Sequence, residues 1–163
     1  MQKRGAAQIY IYGETPIATL KVLLMAAKIS STDHYVELGS GRGVGCLWVA
    51  SHIGCDVVGI EWAPRFVFFA RLIAKWAKIS ASFQKQSFFE ADLSKSTVVY
   101  LYAIHLSDEE IRRLTPVLET MPPHSRLITI SEPLQSKSFR LDSTLEVVFP
   151  WGSTTAFILE KKD

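Results

Sequence analysis

The chain has 163 residues, of which 48% are hydrophobic, and its 18 basic and 16 acidic side chains give a net charge of +2. A chain of this length can bury one core, so we expect residues 1–163 to form a single domain. The small net charge gives no sign of a partner held mainly through nucleic-acid phosphates, although a local basic patch is not excluded.

No apolar run reaches the roughly 18 residues of a membrane span, and Lys3-Arg4 is not followed by the apolar stretch of a secretory leader, so we expect neither feature. Cys46 and Cys55 have no partners at metal-ligand spacing, which favours reduced thiols over a zinc site or a disulfide. We therefore expect a cytoplasmic protein without a metal site.

Short apolar runs alternate along the chain with longer segments of helical period, which predicts an α/β fold. The runs are β-branched or aromatic and unbroken, as in strands that are buried on both faces of a parallel sheet. We predict strands at residues 34–38, 56–60, 97–102 and 125–130, and a weaker one at 82–86. Helical segments long enough for the crossovers lie at residues 15–29, 44–53, 63–79 and 107–121.

The helix predicted at residues 63–79 has a start signal, because Pro64 suits the first helical turn. One face of helical period is expected to pack on the core and consists of Phe66, Phe69, Ala70, Ile73 and Ala77. Phe68 and Trp76 are also expected to pack around this helix and not to form a surface on which bases stack.

The helix predicted at residues 107–121 begins with a capping box, in which Ser107 and Glu110 each accept a hydrogen bond from a backbone amide. Pro116 is expected to kink or restart this helix. Two later strand-like runs, at 144–149 and 154–159, predict an antiparallel hairpin at one side of the sheet. The predicted fold is Rossmann-like and doubly wound, with a mostly parallel seven-strand sheet and an antiparallel C-terminal hairpin strand.

The strongest functional signal lies between the first two predicted strands. The first strand ends at Glu37-Leu38, glycines follow at the alternate positions 39, 41 and 43, and the second strand ends at Glu61. Glycines let the backbone turn tightly and let a ligand lie against it, and the helix that follows offers free amides. Glu61 is placed to accept hydrogen bonds from both hydroxyls of a ribose. The pattern predicts a nucleoside pocket.

The spacing of the glycines bears on which nucleoside binds. The third glycine of a dinucleotide fingerprint is missing, because its place is taken by Val44 counted from Gly39, or by Cys46 counted from Gly41. A carboxylate at Glu37 would repel a pyrophosphate, whereas it can accept a hydrogen bond from the ammonium of a methionine moiety. The site therefore favours S-adenosylmethionine over a nicotinamide dinucleotide.

Glu37-Leu-Gly-Ser-Gly-Arg-Gly43 together with Gly59-Ile-Glu61 resembles the first two motifs of class I S-adenosylmethionine-dependent methyltransferases. The resemblance implies that Glu61 and Trp62 lie at the ribose. It also implies that the methionine part is held by Glu37 and the glycine loop, namely Gly39, Ser40, Gly41 and Gly43. For these loop residues, a simple tight turn between strand and helix is the alternative.

Tyr12-Gly-Glu-Thr15 resembles the cofactor-covering loop of the non-SET histone-lysine methyltransferases, the disruptor-of-telomeric-silencing type. The same motifs suit the lysine methyltransferases of the ATP synthase c subunit equally well. The resemblance implies that residues 1–14 cover the cofactor and that Tyr12 and Thr15 contact it. Thr15 is also expected to cap the first helix, with Pro16 behind it.

The resemblance places Gln86, Ser87 and Phe88 at the adenine. Ser87 stands where the family supplies an aspartate to the adenine amino group, and Phe88 can stack on the ring. At the end of the fourth strand the telomeric-silencing family has two asparagines, where this chain has Tyr102-Ala103.

Tyr102 and His105 follow the fourth strand at the edge where ligands bind in doubly wound sheets, so they are the candidate catalytic residues. For His105, a surface loop position is the competing interpretation. Trp151 is expected to be a buried anchor of the hairpin, with a substrate-facing turn as the alternative.

The predicted reaction is methyl transfer from S-adenosylmethionine to a protein lysine amine or a small-molecule acceptor. A nucleic-acid acceptor is less expected. Two other functional classes stay open at this point: an NAD-dependent oxidoreductase, and a non-catalytic methyltransferase-fold module that binds a partner.

Overall fold

The computed structural model describes residues 14–104 and 106–163. The strands are β1 (His34–Leu38), β2 (Asp56–Glu61), β3 (Ser82–Lys85), β4 (Val98–Leu101), β5 (Arg126–Ile130), β6 (Phe139–Phe149) and β7 (Gly152–Lys161). The helices are α1 (Ile17–Ala26), α2 (Val44–His52), α3 (Pro64–Ala77) and α4 (Asp108–Leu118), and a 3₁₀ turn covers Phe88–Glu90. None of the helices in the described part of the chain is long and apolar enough to cross a membrane.

Seven strands form one sheet in the order β3-β2-β1-β4-β5-β7-β6. The first five strands of the chain are mutually parallel, and β7 runs antiparallel between β5 and β6. The predicted fold class is confirmed. The carboxyl ends of the parallel strands meet at one edge, called here the carboxyl edge, and the start of β7 reaches the same edge because Ala156 pairs with Ile130.

Apolar side chains on both faces of the sheet create two cores. In β4, Val98 and Tyr100 face the layer of α1, α2 and α3, whereas Val99 and Leu101 face α4. All four residues are buried, which explains why this strand is an unbroken apolar run in the sequence. The switch in strand order lies between β1 and β4, so ligands are expected at the carboxyl ends of these two strands.

The buried face of α3 differs from the predicted one. Val67, Ala70 and Ala74 are buried, whereas Phe69 and Ile73 are exposed. The packing expected for Phe68 and Trp76 is also wrong, because both side chains are exposed. The small side chains of Ala70 and Ala74 let the helix approach the sheet closely, beside the Phe83 ring.

The α4 capping box is confirmed, with the Glu110 amide donating to the Ser107 hydroxyl at 3.3 Å and the Ser107 amide donating to the Glu110 carboxylate at 3.0 Å. Helix α4 continues through Pro116 without restarting and ends at Leu118. The predicted hairpin is also present, although β6 begins earlier than expected and has a register shift between Leu141 and Ser143.

At the amino edge of the sheet, opposite the carboxyl edge, Asp33 joins several elements. Its buried carboxylate pairs with Arg126 of β5 and accepts a hydrogen bond from Thr97 at 2.7 Å. Arg126 also donates to the Ala27 carbonyl at the end of α1, at 2.8 Å. Burial raises the pKa of Asp33, but hydrogen bonds from Thr97 and Ser30 and the charge of Arg126 outweigh burial and leave the pKa lowered.

Candidate functional site

The glycine loop, residues 39–43, connects β1 to α2 at the carboxyl edge. Gly39, Gly41 and Gly43 have φ angles of +77°, +53° and +78°, in the left-handed region that side chains disfavour. The Gly39 and Ser40 amides both donate to the Ile60 carbonyl, at 2.8 and 3.0 Å, which fixes the loop against the end of β2. The backbone conformation therefore favours glycine at all three positions.

The glycines differ in what surrounds them. A Cβ atom on Gly43 would lie 2.4 Å from the Phe83 ring, so this glycine is also needed for packing. A Cβ atom on Gly39 would meet nothing within 4 Å among the described residues. The backbone of Gly39 therefore borders open space that a ligand can enter.

The Ser40 hydroxyl is a buried polar group in this loop. Its Oγ atom has no hydrogen-bond partner among the residues that the structure places. A buried hydroxyl without a partner costs about 1–3 kcal/mol, so a polar ligand atom beside it would offset that cost. The unpartnered Ser40 hydroxyl therefore indicates that the loop binds a polar ligand and is not only a turn between strand and helix.

Glu37, the last residue but one of β1, has a buried carboxylate. The Tyr35 hydroxyl and the Cys46 thiol both donate to its Oε2 atom at 3.3 Å, and a Cβ atom on Gly45 would lie 2.6 Å from the same oxygen. Burial raises the pKa of Glu37 to about 7, although the two hydrogen bonds oppose the shift. A cation placed against this carboxylate would favour its charged form.

The residues around Glu37 were not predicted. Tyr35 shares its face of β1 with Glu37 because alternate strand residues point the same way. Gly45 lies inside α2, where a glycine destabilises the helix by about 1 kcal/mol relative to alanine. A glycine at this unfavourable position was the sequence signal that another group, here the Glu37 carboxylate, lies close to the helix backbone.

The Glu61 carboxylate bridges the glycine loop and the start of α3. Its Oε2 accepts from the Gly41 amide at 2.9 Å, and its Oε1 accepts from the Ala63 amide at 2.7 Å. Each carboxylate oxygen has a second lone pair, so these contacts leave acceptor capacity for hydroxyl donors. The adjacent Trp62 is 61% exposed beside this carboxylate.

The segment before α1 is attached to the carboxyl edge. Glu14 pairs with Arg42 of the glycine loop, with its carboxylate oxygens 2.9 Å from Nε and 2.5 Å from Nη2. The expectation that Thr15 caps α1 is wrong, because Pro16 is the N-cap residue. The Thr15 hydroxyl instead forms a hydrogen bond with the Tyr100 hydroxyl at 2.5 Å. The predicted contact of Tyr12 and the cover by the N-terminal segment lie largely outside the described residues.

The predicted adenine-side residues follow β3. The Gln86 amide donates to the Glu61 carbonyl at 3.1 Å, which places the segment beside the end of β2. Ser87 precedes the 3₁₀ turn, and the Phe88 ring lies 4.6 Å from the Phe89 ring and packs against the α4-side core. The structure thus brings Gln86 next to Glu61, and Ser87 and Phe88 follow it directly in the chain.

An aromatic cluster of Tyr102, Phe149 and Trp151 lies where β4 ends. The Trp151 indole donates to the Tyr102 hydroxyl at 3.0 Å, and the Trp151 ring stacks on Phe149 at 5.2 Å. The prediction that Trp151 is a buried anchor is wrong, because it is 49% exposed. The physical reason is that the antiparallel β7 brings the β6–β7 turn to the carboxyl edge. Candidate residue His105 lies outside the described residues.

Burial raises the pKa of the Tyr102 hydroxyl, although the hydrogen bond from Trp151 opposes the shift. The hydroxyl therefore keeps its proton at neutral pH. Tyr102 can orient a bound group, but it does not supply a base.

A family model described as histone methylation protein DOT1 matches residues 3–150. The chain belongs to this family. An RNA methyltransferase from Salinibacter ruber, solved with S-adenosyl-L-homocysteine, has 29% identity and a TM-score of 0.79, with 92% of this chain and 94% of that chain covered. No curated protein matched the chain.

Two more distant structures share the fold of this DOT1-family chain. A mutant of MtNAS in complex with S-adenosylmethionine has 14% identity and a TM-score of 0.72, with 90% of this chain and 62% of that chain covered. Geranyl diphosphate methyltransferase in complex with GPP and sinefungin has 11% identity and a TM-score of 0.72, with 90% and 78% covered. The fold is that of class I methyltransferases, and these three structures were solved with S-adenosyl-L-homocysteine, S-adenosylmethionine or sinefungin.

Proposed function

We propose that this protein is an active methyltransferase that transfers a methyl group from S-adenosylmethionine to a protein lysine amine or a small-molecule acceptor, with lysine favoured. The observation that carries the proposal is the arrangement at the carboxyl edge. Glu37 lies near the end of β1 and the glycine loop follows that strand, whereas the aromatic cluster follows the adjacent strand β4. One strand supplies the donor side and its neighbour the acceptor side.

On the donor side, Glu37 would hold the ammonium of the cofactor, and the glycine loop and the Ser40 hydroxyl would hold its methionine part. Glu61 would bind the ribose, with Trp62 beside it. The adenine would lie by the segment Gln86, Ser87 and Phe88, and Thr15 and Tyr12 would close the site. The unpartnered Ser40 hydroxyl, the open space at Gly39 and the raised pKa of Glu37 support this assignment.

The bound cofactor supplies a methyl group on a sulfonium, whose leaving group is neutral, so the protein mainly has to position the acceptor near 3 Å in line. The aromatic cluster suits an alkyl amine, because ring faces attract a cationic group and cover its methylene chain. A partly dry site also lowers the pKa of the amine, which favours the neutral, reactive form. Tyr102 would orient that amine through its protonated hydroxyl.

An RNA acceptor is the second candidate, because the Salinibacter ruber structure with 29% identity is an RNA methyltransferase. Against it stands the small net charge of +2. We expect the reaction in the cytoplasm.

The full chain should be incubated with S-adenosylmethionine carrying a labelled methyl group and a fractionated extract. We expect label that survives nuclease, is released by protease and is recovered as methyllysine after hydrolysis. Nuclease-sensitive label would establish the RNA candidate instead. Cofactor binding by calorimetry without product in any fraction would show a non-catalytic module.

Tyr102→Phe removes the hydroxyl and keeps the ring. We expect its kcat to fall about fivefold to tenfold with an unchanged KM for the cofactor, the effect of losing one hydrogen bond of about 1 kcal/mol. Trp48→Phe is the aromatic control and should keep full turnover, because Trp48 lies in α2, where its ring stacks on His52 and packs partly buried against the core. Unchanged turnover in Tyr102→Phe would remove Tyr102 from the acceptor site.

A further inference from the structure

Helix α3 has a second apolar face that the fold leaves uncovered. Phe68, Leu72 and Trp76 follow one another at four-residue spacing and are 62%, 51% and 86% exposed. Phe69 and Ile73 lie alongside at the same spacing and are 54% and 46% exposed. Since residues four apart share a helix face, these five form one stripe, called here the α3 outer face. The buried face, with Val67, Ala70 and Ala74, lies on the opposite side.

The charges in the chain segment that contains this stripe have one sign. Between Glu61 and Glu90 the sequence contains no acidic residue and five basic ones: Arg65, Arg71, Lys75, Lys78 and Lys85. Arg71 is turned toward the sheet, where its guanidinium donates to the Phe83 carbonyl at 2.8 and 2.6 Å. The other four are exposed: Arg65 and Lys75 lie on α3, Lys78 is its C-cap residue and Lys85 ends β3. These four basic residues are called here the basic rim of the stripe.

We propose that the α3 outer face docks on an anionic lipid bilayer. A helix with aromatic and aliphatic side chains on one face and basic residues beside it lies in the membrane interface, with its apolar face among the headgroups. Each basic residue near an anionic surface adds about 1 kcal/mol of attraction. Tryptophan favours the interface, and Trp76 is the most exposed of the five apolar side chains.

The pattern of charged and apolar residues favours a bilayer over a second copy of the chain and over single-stranded nucleic acid. A second copy of the chain bound through a two-fold axis would bring basic segments together without an acid in the segment to pair with them. Single-stranded nucleic acid binds by stacking bases on aromatic rings, but aliphatic Leu72 and Ile73 occupy the middle of the stripe. An apolar and anionic bilayer surface matches both the stripe and its rim.

The experiment is flotation of the full chain with vesicles of phosphatidylcholine alone and of phosphatidylcholine mixed with phosphatidylglycerol. We expect the protein to float with the mixed vesicles, to float weakly with phosphatidylcholine alone, and to be released by high salt. The combined variant Phe68→Ser, Leu72→Ser and Trp76→Ser should lose flotation. Lys75→Gln with Lys78→Gln should weaken binding at least about tenfold, as expected for the loss of two surface charges.

Met25→Ser is the matched control, because Met25 is an apolar residue of α1 that is 79% exposed and lies outside this face. It should float like the unchanged protein, and circular dichroism should show that every variant is folded. Equal flotation of the triple variant would overturn the proposal. So would a dimer, or a complex with single-stranded RNA, that forms in place of vesicle binding and that the triple variant abolishes. Docking does not depend on the proposed methyl transfer, so methylation activity is assayed separately.

Discussion

The carboxyl of Glu37 would link the proposed cofactor binding to pH. Its pKa is raised from 4.5 to about 7 by burial, so the folded protein keeps a proton there that the unfolded chain has lost. Without a ligand, this group therefore makes the protein less stable as pH rises from about 4.5 to about 7. A cationic ligand selects the charged carboxylate and reverses that preference.

We predict that the affinity for S-adenosylmethionine falls about tenfold for each pH unit below about 7, because the proton must leave before the ammonium binds. Calorimetry across this range measures the slope. Glu37→Gln should bind weakly at high pH and lose the slope. A flat profile in the unchanged protein would show that Glu37 does not contact the ammonium.

Two glycines of the glycine loop have different roles: Gly43 is needed for packing against Phe83, and Gly39 leaves space for the proposed ligand. Gly43→Ala should destabilise the protein by about 2–4 kcal/mol, because the new Cβ would lie 2.4 Å from Phe83 at a φ of +78°. Urea unfolding gives the free energy.

Gly39→Ala is the control for this substitution, with a similar φ and no neighbour within 4 Å among the described residues. It should lose only about 1–2 kcal/mol from backbone strain and should weaken cofactor binding more than its stability loss explains. Equal destabilisation by the two substitutions would contradict the packing role of Gly43.

At the scale of elements, the capping box of α4 predicts a local effect. Ser107→Ala should lower the free energy of unfolding by about 1 kcal/mol, because the Glu110 amide loses its acceptor. Thermal and urea unfolding measure this. Glu110→Gln preserves an acceptor for the Ser107 amide and should have a smaller effect. A loss in Glu110→Gln as large as in Ser107→Ala would mean that charge, and not the cap geometry, stabilises this helix end.

Strands that are covered on both faces were the most predictable elements. β1 has the predicted bounds because buried apolar runs have clear ends. The first part of β6 was missed, since residues 139–143 are largely exposed and show no apolar run. The packed face of α3 could not be chosen from sequence, because apolar residues lie on both of its sides and only its contact with the Phe83 ring decides between them.

The candidate site divides in the same way. The glycine loop and the two acids are local patterns, and the structure brings Glu37, the loop and Glu61 together at one edge. The contact between Thr15 and Tyr100 joins residues 85 positions apart, and it depends on where the segment before α1 meets the sheet. The position of Trp151 likewise required knowing that β7 is antiparallel to β5.

At the scale of the whole molecule, the Asp33–Arg126 pair joins α1, β1, β4 and β5 at the amino edge. Arg126→Ala should cost about 3 kcal/mol, because it leaves a buried carboxylate without its cation. Arg140→Ala removes an exposed ion pair with Glu160 and should destabilise the protein much less than Arg126→Ala does.

The Asp33–Arg126 pair also predicts how the free energy of unfolding changes in acid. Because the pKa of Asp33 is lowered in the folded protein, its contribution is present above 3.8 and is lost as pH falls through the folded value. Unfolding curves at several pH values should show the difference between Arg126→Ala and the unchanged protein narrowing in acid, leaving the part that the hydrogen bond from Arg126 to the Ala27 carbonyl contributes. A constant difference down to low pH would contradict the assignment.

The antiparallel strand β7 has a consequence for how this chain can diversify. Its start, with the short turn at residues 150–152, lies at the carboxyl edge. In the sequence this turn is far from residues 14–88, which form the proposed donor side. Mutations in the turn therefore leave the glycine loop and both acids untouched. In the proposed site, a lineage could exchange one methyl recipient for another by substituting a few turn residues, while the residues assigned to the nucleoside stay unchanged.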